Sequence, residues 1–401
     1  MHEEWKISSH LRCGFSTFAS LRPSHCVLAG GSGTHTVCVC MQHQNFKLMI
    51  QAAGLKESAE KLLATSVCEL GKEECMLGAC AKCPGTNCAD ILLRSAPVLD
   101  SEQTDCVQVQ QWIGGVRCQL ETILLTPDQF CDKFLDMHKE LKAHHFVSKQ
   151  QARYLRELKR KIGTHEAIVL MDFAENYSFV VQDAPQSYHW VNTQASVHTV
   201  VIYLREHEDT AEISVKSFSF ISDCLDHDTV AVSVIRILKE DFPQISNIHY
   251  FSDGASSQYK NKKNFPNLCQ HENDFRICAQ WIFFATSHGK SVCDGVGGTV
   301  KRLAARASLQ SPYNNQIMTP YELFSWAKNN IKGIVILWMP KEMVEEKRIQ
   351  LAPRFCSAVP VKGTRSFHYF KPTSPFRLQA GLTSYSCTRE FVVIKPISAL
   401  E

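Results

Sequence analysis

The order in which short apolar runs and helical stretches alternate between Glu166 and Leu309 constrains this chain more than any other feature. Glu166–Asp172 is an apolar run of buried-strand type that closes on an acid. Tyr188–Tyr203 and Glu212–Ile221 follow as strands rich in β-branched and aromatic residues, separated by polar turns. Asp228–Asp241 turns helical, with Val230, Val234, Ile235, Ile237 and Leu238 on one face. Ile245–Phe251 predicts a fourth strand running into Ser252-Asp253-Gly254, Cys278–Ala285 a fifth, and Gly297–Leu309 a closing helix. The expected order is three strands in a meander, helix, strand, helix, strand, helix.

That order resembles the ribonuclease-H-like one. The expected class is therefore α/β: a mixed five-stranded sheet with flanking helices, preceded by a small zinc-binding, irregular α+β region and a helical segment. In such a fold the first and fourth strands are neighbours, which brings Asp172 at the end of the first beside Asp253 at the end of the fourth. Asp294, ahead of the last helix, becomes the third acid. Clustered carboxylates repel one another unless a cation joins them, and Mg2+ or Mn2+ takes oxygen ligands of this kind. Two such ions serve in-line phosphoryl transfer, so Asp172, Asp253 and Asp294 are the expected catalytic residues. Glu175 reads as an extra ligand or as a surface acid capping a turn. His288 and Lys290 read as phosphate contacts or as exposed loop residues. Asp223 is the rival for a triad place, disfavoured if the third strand is antiparallel to the first, since its end would then point away from Asp172. Asp253-Gly254 taken alone is also an ordinary turn dipeptide.

Upstream, Cys38-Val-Cys40-Met-Gln-His43 and the stretch with Cys68, Cys75, Cys80-Ala-Lys-Cys83 and Cys88 carry paired ligand spacings. Pairs two residues apart grip one tetrahedral ion from a tight turn, so Cys40, His43, Cys80 and Cys83 are the expected zinc ligands. Cys38 and Cys75 are alternates, and the surplus thiols leave room for a second ion or for plain core filling. Lys139–Lys161 is the strongest local excess of positive charge; within it Lys149, Arg153, Arg156, Lys159 and Arg160 are expected to neutralise DNA phosphates. In Gln258–Lys263, Tyr259 among Lys260, Lys262 and Lys263 reads as a base-stacking aromatic in a basic groove. A solvated helix face is the plainer account of the first cluster.

Net charge is only +3, so a nucleic-acid footprint has to be local. Residues 2–10 have neither a basic start nor an apolar run of signal-peptide type, and the 18 cysteines are expected to be reduced. With no apolar run near the roughly 20 residues a bilayer requires, the expectation is an intracellular protein, nuclear or cytoplasmic, off the membrane. Gly295, Gly297 and Gly298 fit neither the Walker nor the dinucleotide spacing, so no small-molecule substrate is expected. The divisions read are 1–30, a short segment suggesting an incomplete frame; 31–125, the Cys/His region; 126–162, two basic amphipathic helices; 163–310, the catalytic core; and 311–401, an α/β extension.

Three strings carry a closer resemblance: Met171–Ser178, Tyr250–Asn261 and Phe283–Arg302. Together with Cys38–Asn45, Cys75–Cys83 and Lys142–Leu158, they resemble transposable-element proteins of the acidic-triad kind. The resemblance implies descent from a DDE/D transposase, with Asp172, Asp253 and Asp294 as its triad, DNA as partner and self-association of the chain as a compatible state. The alternative is a domesticated relic that binds nucleic acid through its zinc module without cutting it.

Overall fold

The computed structural model describes residues 39–99, 105–115, 118–182, 193–208, 212–225, 235, 238–312 and 315–395. The chain divides into residues 1–40 and 41–401, and the architecture below is that of the second unit. The short segment 1–30, Cys38 and most of the helix expected over Asp228–Asp241 lie outside the described residues.

The N-terminal layer holds helices α1 (Met41–Ala52), α2 (Ala59–Thr65), α3 (Glu73–Met76) and α4 (Asn87–Arg94), then an antiparallel hairpin of β1 (Val107–Ile113) and β2 (Gln119–Leu125). Its core joins Phe46, Met49, Leu62, Leu63, Leu93 and Val109 to Phe130 and Phe134 at the start of α5 (Pro127–Lys161). Thr126 starts α5 with a reciprocal capping box: its hydroxyl accepts from the Gln129 amide while the Gln129 side chain accepts from the Thr126 amide. The two helices expected over 126–162 are one 35-residue helix. No Pro or Gly interrupts it after Pro127, and its middle buries the polar residues His138, Lys142, His145, Ser148, Gln150 and Gln151. Those positions hide the apolar period without breaking the helix.

Beyond α5 lies a nine-stranded mixed sheet. Its centre is β3 (Glu166–Ser178), β4 (Gln194–Leu204), β5 (Ser214–Ser222), β6 (Asn247–Ser252) and, after the short helices α6 (Asn264–Cys269) and α7 (His271–Phe275), β7 (Cys278–Phe283). Helix α8 (Val292–Gln310) follows, then α9 (Pro320–Asn330), β8 (Val335–Trp338), α10 (Lys341–Cys356), β9 (Tyr369–Ser374), β10 (Arg377–Gly381) and β11 (Thr388–Val392). The spatial order is β11-β10-β9-β7-β6-β3-β4-β5-β8. Strands β3, β4 and β5 form the antiparallel meander, while β6 pairs parallel with both β3 and β7. Every residue of β4 after Gln194 is buried, as expected of a central strand covered on both faces. The segment 311–401 is no separate module, because β8 extends the sheet beside β5 and β9–β11 extend it beyond β7.

Gly297 fixes how closely α8 approaches the sheet. A Cβ there would lie 2.9 Å from the Ala174 Cβ and 3.4 Å from the Thr199 Cγ2, so only glycine lets the helix lie this close to β3 and β4.

Candidate functional site

Register explains how acids distant in sequence meet. The parallel pairing of β3 with β6 runs from Glu166↔Asn247 to Leu170↔Phe251. The pairing ends there: Asp172 lies two residues past Leu170 within β3, and Asp253 lies two residues past Phe251, just beyond the end of β6 at Ser252. Neighbouring strands are about 4.8 Å apart, and residues level across a parallel pair face the same side. Asp172 does not terminate its strand as expected. Strand β3 continues to Ser178, paired with β4 alone, so Asp172 sits at the split between two neighbours.

Asp294 enters from the N-terminus of α8. The Ser291 hydroxyl caps that helix by accepting from the Cys293 amide, and the Asp294 Oδ2 accepts from the Ser291 amide at 2.7 Å. One carboxylate oxygen is thus committed to the helix cap. The Asp253 Oδ1 accepts from the Ala255 amide at 3.2 Å. Burial, reinforced by the charges of Asp253 and Asp294, pushes the Asp172 carboxyl up to about 7. Burial also raises Asp253, with the Asp294 charge acting the same way against the Ala255 amide. The three acids therefore share one electrostatic neighbourhood. A cavity of about 240 Å³ opens beside Asp172 and Asp294, lined also by Glu175, Thr199, Cys293 and Lys301, while Asp253 lies outside its lining. Lys301 holds its rim by donating to the Glu175 carbonyl at 3.0 Å. Asp223, the sequence rival, follows β5, which two successive antiparallel pairings make parallel to β3, so strand direction does not exclude it as expected; what engages it is α10, whose Lys341 amide donates to its Oδ1 at 2.7 Å.

Two Cys/His groups can each hold a metal ion, and the expected zinc ligands His43, Cys80 and Cys83 are divided between them. Cys68, Cys75, Cys80 and Cys83 form one group, around the turn of α3; the other joins His43, His144 and His288. Within each, the ligand atoms lie within 4.8 Å of one another. The single site of Cys40, His43, Cys80 and Cys83 is therefore corrected: spacing identified the Cys80/Cys83 pair but not its partners. Cys75, an alternate, and Cys68 join Cys80 and Cys83 as candidate ligands. His144 and His288 were missed as ligands, although the His144-His145 doublet on a helix was a visible signal. Burial first, then the neighbouring His288 and His145, lowers His43 to about 4; burial, His288 and His43 do the same to His144. Neutral imidazoles of this kind are what zinc accepts.

The basic residues divide likewise. Lys149 pairs with Glu60, Arg153 pairs with Glu157 and lies over the Tyr385 ring, and Lys159 lies 3.5 Å from the centroid of the Tyr203 ring. Arg156, Arg160 and Lys262 face solvent, as does Lys290. Tyr259 is not a stacking platform: it is 1% exposed, and its hydroxyl meets the His198 Nε2 at 3.1 Å. Lys260 is buried as well and donates to the Arg365 carbonyl, while Lys263 lies over the Phe355 ring. Core packing against Trp281 and Phe173 claims the segment that looked like a nucleic-acid groove.

No described helix is long and apolar enough to cross a membrane. No curated protein and no solved structure matches the chain. A second domain of unknown function, DUF8700, matches residues 41–142, so the two family matches meet inside α5 rather than at a loop. The match to a domain of unknown function, DUF8701, over residues 151–384 covers more than half of the chain, which therefore belongs to that family.

Proposed function

We propose that the chain carries a ribonuclease-H-like, transposase-type core that cleaves and joins DNA strands at Asp172, Asp253 and Asp294. The observation that supports this reading is the parallel pairing of β3 with β6, which brings Asp172 on β3 and Asp253 just past β6 to the same end of the sheet, within electrostatic reach of each other and of Asp294 at the head of α8. The strand order β5-β4-β3-β6-β7, with its antiparallel meander and parallel pairs, is the order that fold requires. An acid raised to about 7 by burial and then by two like-charged neighbours suits a hard divalent cation.

Asp172 and Asp253 would hold Mg2+ or Mn2+ from their two strands, with the remaining oxygen of Asp294 from the third side. Bound there, such ions supply activation of the attacking oxygen and stabilisation of the leaving one. The chain's own contribution is placement. The sheet backbone fixes two carboxylates, and the Ser291 capping box fixes the third. Lys301 adds a positive charge at the cavity rim, where a scissile phosphate would enter. Arg156 and Arg160 on α5, with Lys262, offer exposed cations for the flanking duplex.

The test is nicking of supercoiled DNA in Mg2+ or Mn2+ by the wild type and by Asp253→Asn. Loss of at least about 100-fold in the variant is expected of a residue holding the reacting centre. Equal rates would remove Asp253 from the mechanism. A wild type that binds DNA but never cuts it would favour the relic.

A further inference from the structure

We propose that His43, His144 and His288 hold a zinc ion of their own, distinct from that of the four-cysteine group, and that this ion clamps the loop between β7 and α8 against Asp253. Its catalytic significance rests on the reading above, whereas the site itself does not.

The ligand atoms come from three places: the start of α1, the middle of α5 and the loop after β7. Tetrahedral zinc with bonds of about 2.0–2.3 Å sets ligand atoms roughly 3.3–3.8 Å apart, so atoms already within 4.8 Å need only close inwards. The rings converge as they would on an ion. The centroids of His43, His144 and His288 lie 5.0 to 5.2 Å apart, and the Nε2 atoms of His144 and His288 face each other at 3.1 Å. The His43 Nδ1 is buried without a hydrogen-bond partner. Hydrophobic packing does not account for polar rings converging edge to edge in this way.

The consequence runs through one residue. Gly289 follows His288, and a Cβ on it would stand 2.9 Å from the Asp253 Cβ. Ser287 on the other side has φ 62°, a left-handed conformation that serine rarely adopts, and the His288 amide turns back to the Ala285 carbonyl at 2.9 Å. An ion on His288 would therefore hold a strained turn closed and press its backbone onto an acid of the candidate site. The four-cysteine group has no such reach: its cysteines pack with Val67, Met76 and Phe146.

Zinc counted in the purified full chain, together with amide exchange at residues 287–290, tests this. The wild type should hold about two ions, one for each group. His288→Ala should lose about one and speed exchange in the loop by about tenfold or more, since local opening becomes cheap. Cys80→Ser should lose the other ion without that change. His288→Cys, which guards against mere misfolding, should keep both and strengthen thiolate-to-metal absorption after cobalt substitution. Fewer than two ions in the wild type, a full count in His288→Ala, or loop exchange indifferent to its loss would overturn the proposal. A wild type with both ions and a protected loop that fails to nick DNA would sink the transposase reading alone.

Discussion

Strands β3 and β6 carry polar residues at both ends, and the two ends are electrically opposite. Where the pairing begins, Glu166 accepts from the Gly163 amide at 3.0 Å and meets the His249 Nε2 at 3.2 Å, while Asn247 donates to the same carboxylate. His249 touches Gln280, whose Oε1 accepts from the Tyr369 hydroxyl at 2.7 Å. Burial works to raise the Glu166 carboxyl, but those donors bring it below its ordinary value. Where the pairing has ended, Asp172 and Asp253 face Asp294 and are raised. One sheet edge is satisfied from within, and the other is left needing a cation. Buried polar groups that serve stability find partners in the chain; those kept for chemistry are held short of them.

The largest effect that would break this contrast is His249→Ala. Removing a 5%-exposed ring that joins Glu166 to Gln280 takes one buried partner from each and empties the space between them, which should cost about 2–3 kcal/mol in chemical denaturation. A cost below about 0.5 kcal/mol would mean that the satisfied end is not a structural network.

Next comes Asp172→Asn, whose sign is opposite. An acid raised to about 7 holds its proton in the folded state when the unfolded chain has lost it, so stability falls as pH rises from about 4 to 7. The full shift corresponds to roughly 4 kcal/mol, and solvent reaching the group reduces that to about 2. Without divalent metal, Asp172→Asn should therefore stabilise the protein at pH 7 by about 2 kcal/mol and have little effect at pH 4, read from denaturation midpoints. Destabilisation at pH 7 would contradict the strained-edge account.

Glu166→Gln should be milder, about 1 kcal/mol, because the amide still accepts one bond. A carboxyl lowered on folding contributes stability above its unfolded value that disappears as pH falls through the folded one, so variant and wild type should converge in acid. A gap that persists in acid would assign the loss to packing. The smallest effect is Arg156→Ala, which should leave stability unchanged and reduce the salt slope of DNA binding by about one. An unchanged slope would remove that face of α5 from the DNA path.

Much of this was legible in the sequence because strands announce themselves locally. The runs ending near Asp172 and Asp253 and the glycine-rich start of α8 gave order, and order implied adjacency. The zinc ligands were half legible. Cys80 and Cys83 are one turn apart, but His288 lies 245 residues from His43, and no spacing rule connects them. Tyr259 misled because an aromatic among lysines has the same composition in a groove and in a core; its hydroxyl had a buried partner in His198. The outer strands β9–β11 were missed because they are short and half-exposed, and edge strands carry a weaker alternation.

The central claim is that Asp172, Asp253 and Asp294 form a divalent-metal site, and Mn2+ binding to the zinc-loaded protein by paramagnetic resonance tests it most directly. The account predicts saturable binding in the wild type, weakened at least about tenfold by either Asp172→Asn or Asp253→Asn, as expected when one carboxylate ligand is lost. Saturable binding of equal strength in the wild type and both variants, or no saturable binding at all, would contradict it.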